Sequence, residues 1–247
     1  MAFDQEIGDK YLFGESNSGS MILRRNVNSG QELVSFAVAD GVLIIAFSLA
    51  KANGLISFSL ARFLFWLPIA TVGISLSFVL HELMHKLAAK HYGAIASFMT
   101  SPNGLLMTLA AGAFGIFFGI PGATMIYASG FTSRENALVS LAGPLTNFAV
   151  FGACLAILIF TGGFGNLFIQ SLLAFTIFIS ILLAFFNMLP IPPLDGSKVI
   201  VWNMPAYISL MAVILALMVY FTQIGLASIV FLVLFALFFS LFYRNVI

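Results

Sequence analysis

The sequence predicts an all-α polytopic membrane protein with six transmembrane helices and a short re-entrant or β-strand-containing segment between the second and third. Three observations carry that prediction. Of 247 residues, 61% are hydrophobic and only 8% are charged, where a soluble domain carries roughly 25% charged residues. Mean hydropathy is +1.09. Apolar runs also recur along the chain at the length a membrane helix needs, about 20 residues. Ten basic against nine acidic residues leave a net charge of +1, which offers no general attraction for nucleic acid or an anionic partner. Membrane lipid is the expected surrounding, and no nucleic acid is expected.

Residues 1–32 are polar and carry Asp4, Glu6, Asp9, Glu15, Arg24 and Arg25. They read as a cytoplasmic N-terminal leader with turns in "GESNSGS" and no cleavable signal peptide. Residues 33–247 form the membrane-embedded core, with spans expected at 33–50, 63–91, 137–161, 167–188, 206–222 and 225–243. The stretch 104–128 is long enough to cross but is broken by Gly112, Gly115, Gly119, Pro121 and Gly122. Charge placement decides its status. With six spans, Lys10, Arg24, Arg25, Lys86, Lys90, Arg134, Lys198 and Arg244 share one side and only Lys51 and Arg62 the other; a seventh span would move Arg134, Lys198 and Arg244 across and even the split. The expectation is therefore six spans in the cell membrane, with both termini and the active site toward the cytoplasm. Non-helical backbone at that depth must lie against protein or a water-filled cavity, and "ATMIYASGF" could supply a short strand there. Cys154, the one cysteine, sits in an apolar run, reads as packing and excludes an intrachain disulfide.

The chemistry concentrates in "HELMH", residues 81–85. On a helix, residues four apart lie nearly one above the other, so His81 and His85 can offer imidazole nitrogens to one metal ion. Glu82 projects about 100° from His81 and can reach a water at the open position of that metal as general base. Two of the chain's three histidines occupy this string; the third, His91, reads as an interfacial residue. Catalytic zinc usually takes three protein ligands. After the leader, Asp40, Glu135 and Asp195 are the other carboxylates within or bordering the spans. Asp195 closes "FNMLPIPPLD", where Pro190, Pro192 and Pro193 prevent a regular helix and leave a rigid turn that could hold it toward the histidines. Its competing reading is an ordinary turn Asp before Gly196; the histidine pair favours ligation. Asp40, in the middle of the first span, marks either a water-filled path or a hydrogen bond to a neighbouring helix, and the second is the simpler reading.

Together, "HELMHKLAAKHYG", "LAGPLTNF" (141–148) and "NMLPIPPLDG" (187–196) resemble, in order and spacing, the site-2 protease family of intramembrane zinc metalloproteases. The resemblance implies His81, His85 and Asp195 as zinc ligands and Glu82 as the catalytic glutamate. It places Asn187 near the active site and Asn147 in the core between helices. Met84 stands where many members have glycine, and Lys86 follows the motif directly, two departures that bear on close helix packing.

The expected activity is hydrolysis of peptide bonds within or next to transmembrane helices of membrane-protein substrates, regulated intramembrane proteolysis, with one Zn2+ per chain. A substrate helix must unwind first, and a strand edge within 104–130 could pair with the freed backbone; Ile126→Pro is then expected to impair cleavage and spare zinc content. Two rivals are a zinc-ion transporter and a non-catalytic helix-binding homologue. A single cluster near one face speaks against the first and Glu82 against the second. Nothing in the sequence specifies the oligomeric state.

Overall fold

The structure is a computed structural model that describes residues 11–15, 21–25, 29–117, 119, 121–128, 130–222, 233–234 and 237. Two short strands, β1 (Tyr11–Glu15) and β2 (Met21–Arg25), pair antiparallel in the polar leader, a pairing that the turn-rich reading of that segment does not predict. The first spanning helix, α1 (Ser29–Lys51), starts before the expected boundary and takes Glu32 into its first turn.

The second span runs without a break from Leu60 to His91 as α2 (Leu60–Ile74), a π-helical turn (Ser75–Val79) and α3 (Leu80–His91). Ser59 caps α2, its hydroxyl accepting from the Arg62 N–H. Single π-helical turns often mark functional stretches, and this one delivers two serines to neighbours. Ser75 Oγ donates to Asp40 Oδ2 on α1 at 2.6 Å, so Asp40 is a helix-to-helix hydrogen bond, and Ser77 Oγ shares a 2.8 Å hydrogen bond with Ser180 Oγ.

The glycine-broken segment is neither a span nor a simple loop. Strand β3 (Ile95–Thr100) leads into helix α4 (Pro102–Ala113), and the chain returns as β4 (Gly122–Tyr127), antiparallel to β3 with Phe98 opposite Thr124. The expected strand is present; its partner β3 and helix α4 were not foreseen. Glycine permits the close approach of α4 to α1: a Cβ on Gly112 would stand 2.5 Å from the Ala46 carbonyl oxygen.

Helix α5 (Ser133–Thr161) opens with a reciprocal capping box, the Glu135 N–H donating to Thr132 Oγ1 while Glu135 Oε2 accepts from the Thr132 N–H. After a short glycine-rich turn come α6 (Leu167–Asn187), α7 (Gly196–Trp202) and α8 (Met204–Thr222). Five helices among the described residues are long and apolar enough to cross a membrane. The sixth expected span, 225–243, lies outside the described residues apart from 233, 234 and 237.

Burial follows the membrane reading. Phe47, Ile69, Ile74, Phe98 and Phe175 form one core between α1, α2, α6 and β3, and Phe151, Ile181, Phe185 and Met218 a second between α5, α6 and α8. Cys154 packs in the second. Large apolar side chains face outward as well, Leu64 at 57%, Ile159 at 68% and Val213 at 51% exposure. In water such a surface would drive association; lipid accepts it. The protein is a multi-pass membrane protein.

Candidate metal centre

Helix α3 and helix α5 run antiparallel and meet at the HELMH motif. His85 Nδ1 donates to the Val139 carbonyl at 2.9 Å. A carbonyl can only accept, so Nδ1 carries a proton and Nε2 is the ring nitrogen left to face a metal. His81 Nε2 stands 3.0 Å from His85 Nε2. Both histidines are buried, and His81 Nδ1 has no hydrogen-bond partner. Gly143, one turn beyond Val139, makes the cradle: a Cβ there would fall 2.4 Å from His85 Nε2 and 2.5 Å from His81 Nε2. Pro144, next to it, lacks the N–H that would bond the Ser140 carbonyl, which loosens the α5 ladder at this level.

The third donor comes from an irregular turn. Asp195 occupies the N-cap of α7, yet its side chain caps no backbone N–H. It turns instead to the histidines, with Oδ2 3.0 Å from His85 Nε2 and 3.7 Å from His81 Nε2. The carboxylate is therefore aimed at the imidazoles and does not cap its own turn. The turn is fixed by its own contacts. Tyr207 Oη donates to the Met188 carbonyl at 3.1 Å, and a Cβ on Gly196 would strike that same oxygen at 2.1 Å. Lys198 Nζ donates to the Pro193 carbonyl at 2.7 Å and reaches Asp195 Oδ1 at 3.4 Å, orienting the carboxylate from behind.

These three donor atoms fit a zinc ion. Three ligand atoms held about 2.0–2.1 Å from a tetrahedral ion lie about 3.3 Å from one another, and the separations of 3.0, 3.0 and 3.7 Å bracket that value. Two neutral imidazole nitrogens and one carboxylate are the ligand chemistry zinc prefers, with a fourth position left for water. His81, His85 and Asp195 form the one such cluster among the described residues. At 1.5 Å rise per residue the histidines sit about 9–15 Å from the His91 end of the helix.

Glu82 is buried beside the cluster and is held by β4: its Oε2 accepts from the Thr124 N–H at 2.9 Å, while Thr124 Oγ1 donates to its carbonyl at 3.3 Å. Lys86, one turn on, does not disturb packing. It pairs with Glu32 of α1, whose other oxygen accepts from the Phe98 N–H at 3.0 Å. That pairing explains how Glu32, assigned by its polarity to the solvated leader, is buried. Met84 is 37% exposed, so the missing glycine leaves no close contact unmade. His91 is exposed at the end of α3.

The two asparagines diverge. Asn187 donates from Nδ2 to the Leu183 carbonyl of its own helix at 3.0 Å, so one of its two amide N–H groups is used locally. Asn147 is fully buried on α5, one turn beyond Gly143, with neither amide atom hydrogen-bonded. Sequence reasoning missed Gly143, Lys198 and Thr124. Gly143 lies inside the quoted "LAGPLTNF" segment, where a small residue facing HELMH was a usable signal; Thr124 had none, since only the strand pairing puts it beside Glu82.

Comparison with known proteins identifies the family. The family model described as peptidase family M50 matches residues 165–232, a stretch containing the Asp195 turn but not the HELMH helix. A Methanocaldococcus jannaschii protein named "Putative zinc metalloprotease MJ0611" is 42% identical over 141 residues, which is 55% of this chain and 70% of that protein. No solved structure matches. The chain belongs to peptidase family M50, the site-2 protease family of zinc metalloproteases.

Proposed function

We propose that this protein is an intramembrane endopeptidase that hydrolyses a peptide bond within or next to a transmembrane helix of a protein substrate, using one Zn2+ held by His81, His85 and Asp195. The observation that carries the reading is the three-donor cluster of α3 and the Asp195 turn, buried between spanning helices, with Glu82 one residue from the first ligand. Bound there, zinc would polarise the scissile carbonyl and acidify a water.

The chain's own residues account for the rest. His85 is held in one tautomer by Val139, and Asp195 is held by its turn and Lys198, so the donors are preorganised before metal arrives. Glu82 takes a proton from the attacking water and returns it to the leaving amine. The surrounding apolar cores limit contact with bulk water, and the substrate must present backbone without its helical hydrogen bonds, a state that costs several kcal/mol per freed group in lipid unless re-paired. By the distribution of Lys and Arg, the membrane face nearer the site and both termini are cytoplasmic.

The test uses purified protein and a single-span model substrate in detergent. Wild type should carry about one zinc per chain and cleave the substrate; Glu82→Gln should keep the metal and lose cleavage. Zinc transport into proteoliposomes that survives Glu82→Gln would replace this reading with a transporter.

A further inference from the structure

Asp195 offers two carboxylate oxygens, and the chain treats them differently. Oδ2 faces the histidines, 3.0 Å from His85 Nε2 and 3.7 Å from His81 Nε2. Oδ1 is turned to Lys198 Nζ at 3.4 Å, and the same ammonium donates to the Pro193 carbonyl at 2.7 Å. Pro193 lies two residues before Asp195 in the same turn, so the lysine is anchored on backbone as well as on the carboxylate it steadies. Among the described residues Lys198 is the only Lys or Arg within ion-pair reach of a donor of the cluster. Its side chain is partly exposed, but the Asp195 carboxylate is largely shielded, so the charge reaches Oδ1 with little water between them.

We propose that Lys198 is a positioning residue that makes Asp195 a one-oxygen ligand and thereby sets which metal ion the site prefers. The inference rests on the metal-centre reading and adds a selectivity to it. A carboxylate holds an ion through one oxygen or through both. With Oδ1 facing an ammonium, the second mode would bring a divalent cation toward a fixed positive charge and break a charge-assisted hydrogen bond. Two imidazoles and a single oxygen then leave the four-coordinate arrangement that zinc takes, with its fourth position open. Without the ammonium, Oδ1 is free to turn inward. Two imidazoles with two oxygens suit ions that take more oxygen ligands in a larger shell, such as Mn2+. An arginine would present a cation to the same two acceptors, so the property belongs to the positive charge and not to the lysine stem.

The experiment loads the purified full chain in detergent with Zn2+, Mn2+ or Co2+ in turn. It measures each affinity by chelator competition and, for Co2+, the visible spectrum, whose bands weaken as coordination rises above four. Lys198→Met should lower zinc affinity about tenfold, the loss typical of removing a partner behind a ligand. Its Mn2+ affinity should stay equal or rise, and its cobalt bands should weaken. Lys198→Arg should keep the zinc preference and the cobalt spectrum of wild type. A lysine that only braces the turn would instead lower all three affinities together with the thermal midpoint of the metal-free protein. That result overturns the proposal, as does a Lys198→Met protein with the cobalt spectrum and zinc-to-manganese ratio of wild type, or a Lys198→Arg protein indistinguishable from Lys198→Met. A wild type that binds none of the three ions overturns the metal-centre reading and this inference together, whereas a wild type that binds zinc with a selectivity Lys198 does not control overturns the inference alone.

Discussion

The two regions that supply the three candidate metal donors are built by opposite means. His81 and His85 sit on a regular helix, where the i, i+4 spacing alone aligns the imidazoles and α5 adds a carbonyl behind one ring and a glycine in front of both. Asp195 sits in a turn with almost no repeating structure, placed by Gly196 against the Met188 carbonyl and by Tyr207 and Lys198. Helical placement fixes the spacing of the two imidazoles through the backbone itself, so a change in the surroundings can block the site without moving them. Placement by a turn depends on every contact that holds it.

Substitutions can break or sharpen that contrast. The largest effect is expected at Gly143→Ala, because the added methyl would overlap both Nε2 atoms. Zinc affinity should fall 100-fold or more, about 3 kcal/mol, measured by chelator competition, although α3 itself is untouched. Gly196→Ala should come next. Its Cβ overlaps backbone rather than a mobile side chain, so Asp195 should swing away, with zinc content and cleavage lost together and about 2–4 kcal/mol of stability lost by strain of the kind seen in overpacked sites. If Gly196→Ala retained zinc while Gly143→Ala lost it, the turn would be the more forgiving region and the contrast would be reversed.

A smaller effect is expected at Lys86→Met, which leaves Glu32 buried with one partner. The pair is partly exposed on the lysine side, so the expected loss is about 1–2 kcal/mol, read as a lower thermal midpoint with zinc content unchanged. The smallest is Thr132→Ala, which removes a capping box far from the ligands and should cost about 1 kcal/mol with normal cleavage. Ile126→Pro probes the strand. Ile126 shares the outward register of Thr124, so the β3 ladder should survive while cleavage falls and zinc stays.

The same contrast explains what could be read beforehand. Spanning helices were legible because each is a long apolar run, and α1, α5, α6 and α8 lie within a few residues of their expected limits. HELMH was legible because helical periodicity turns sequence spacing into geometry. Asp195 was ambiguous from its own neighbourhood, since proline and glycine announce a turn without saying where its side chain points; only its partners across the fold settle that. Strand β3 was hidden because "IASFMT" has too little alternation to stand out, and its pairing with β4 spans a helix. Glu32 was misplaced in the leader because its burial depends on Lys86 and on the Phe98 N–H, both more than fifty residues away.

The central claim is that a helix and a turn hold one zinc ion between them for peptide hydrolysis. The most direct measurement is metal content and cleavage of a single-span substrate for wild type, Asp195→Ala and Glu82→Gln side by side. The account predicts about one zinc in wild type and in Glu82→Gln, little in Asp195→Ala, and cleavage by wild type alone. Zinc retained at full affinity by Asp195→Ala, or cleavage surviving Glu82→Gln, would contradict it.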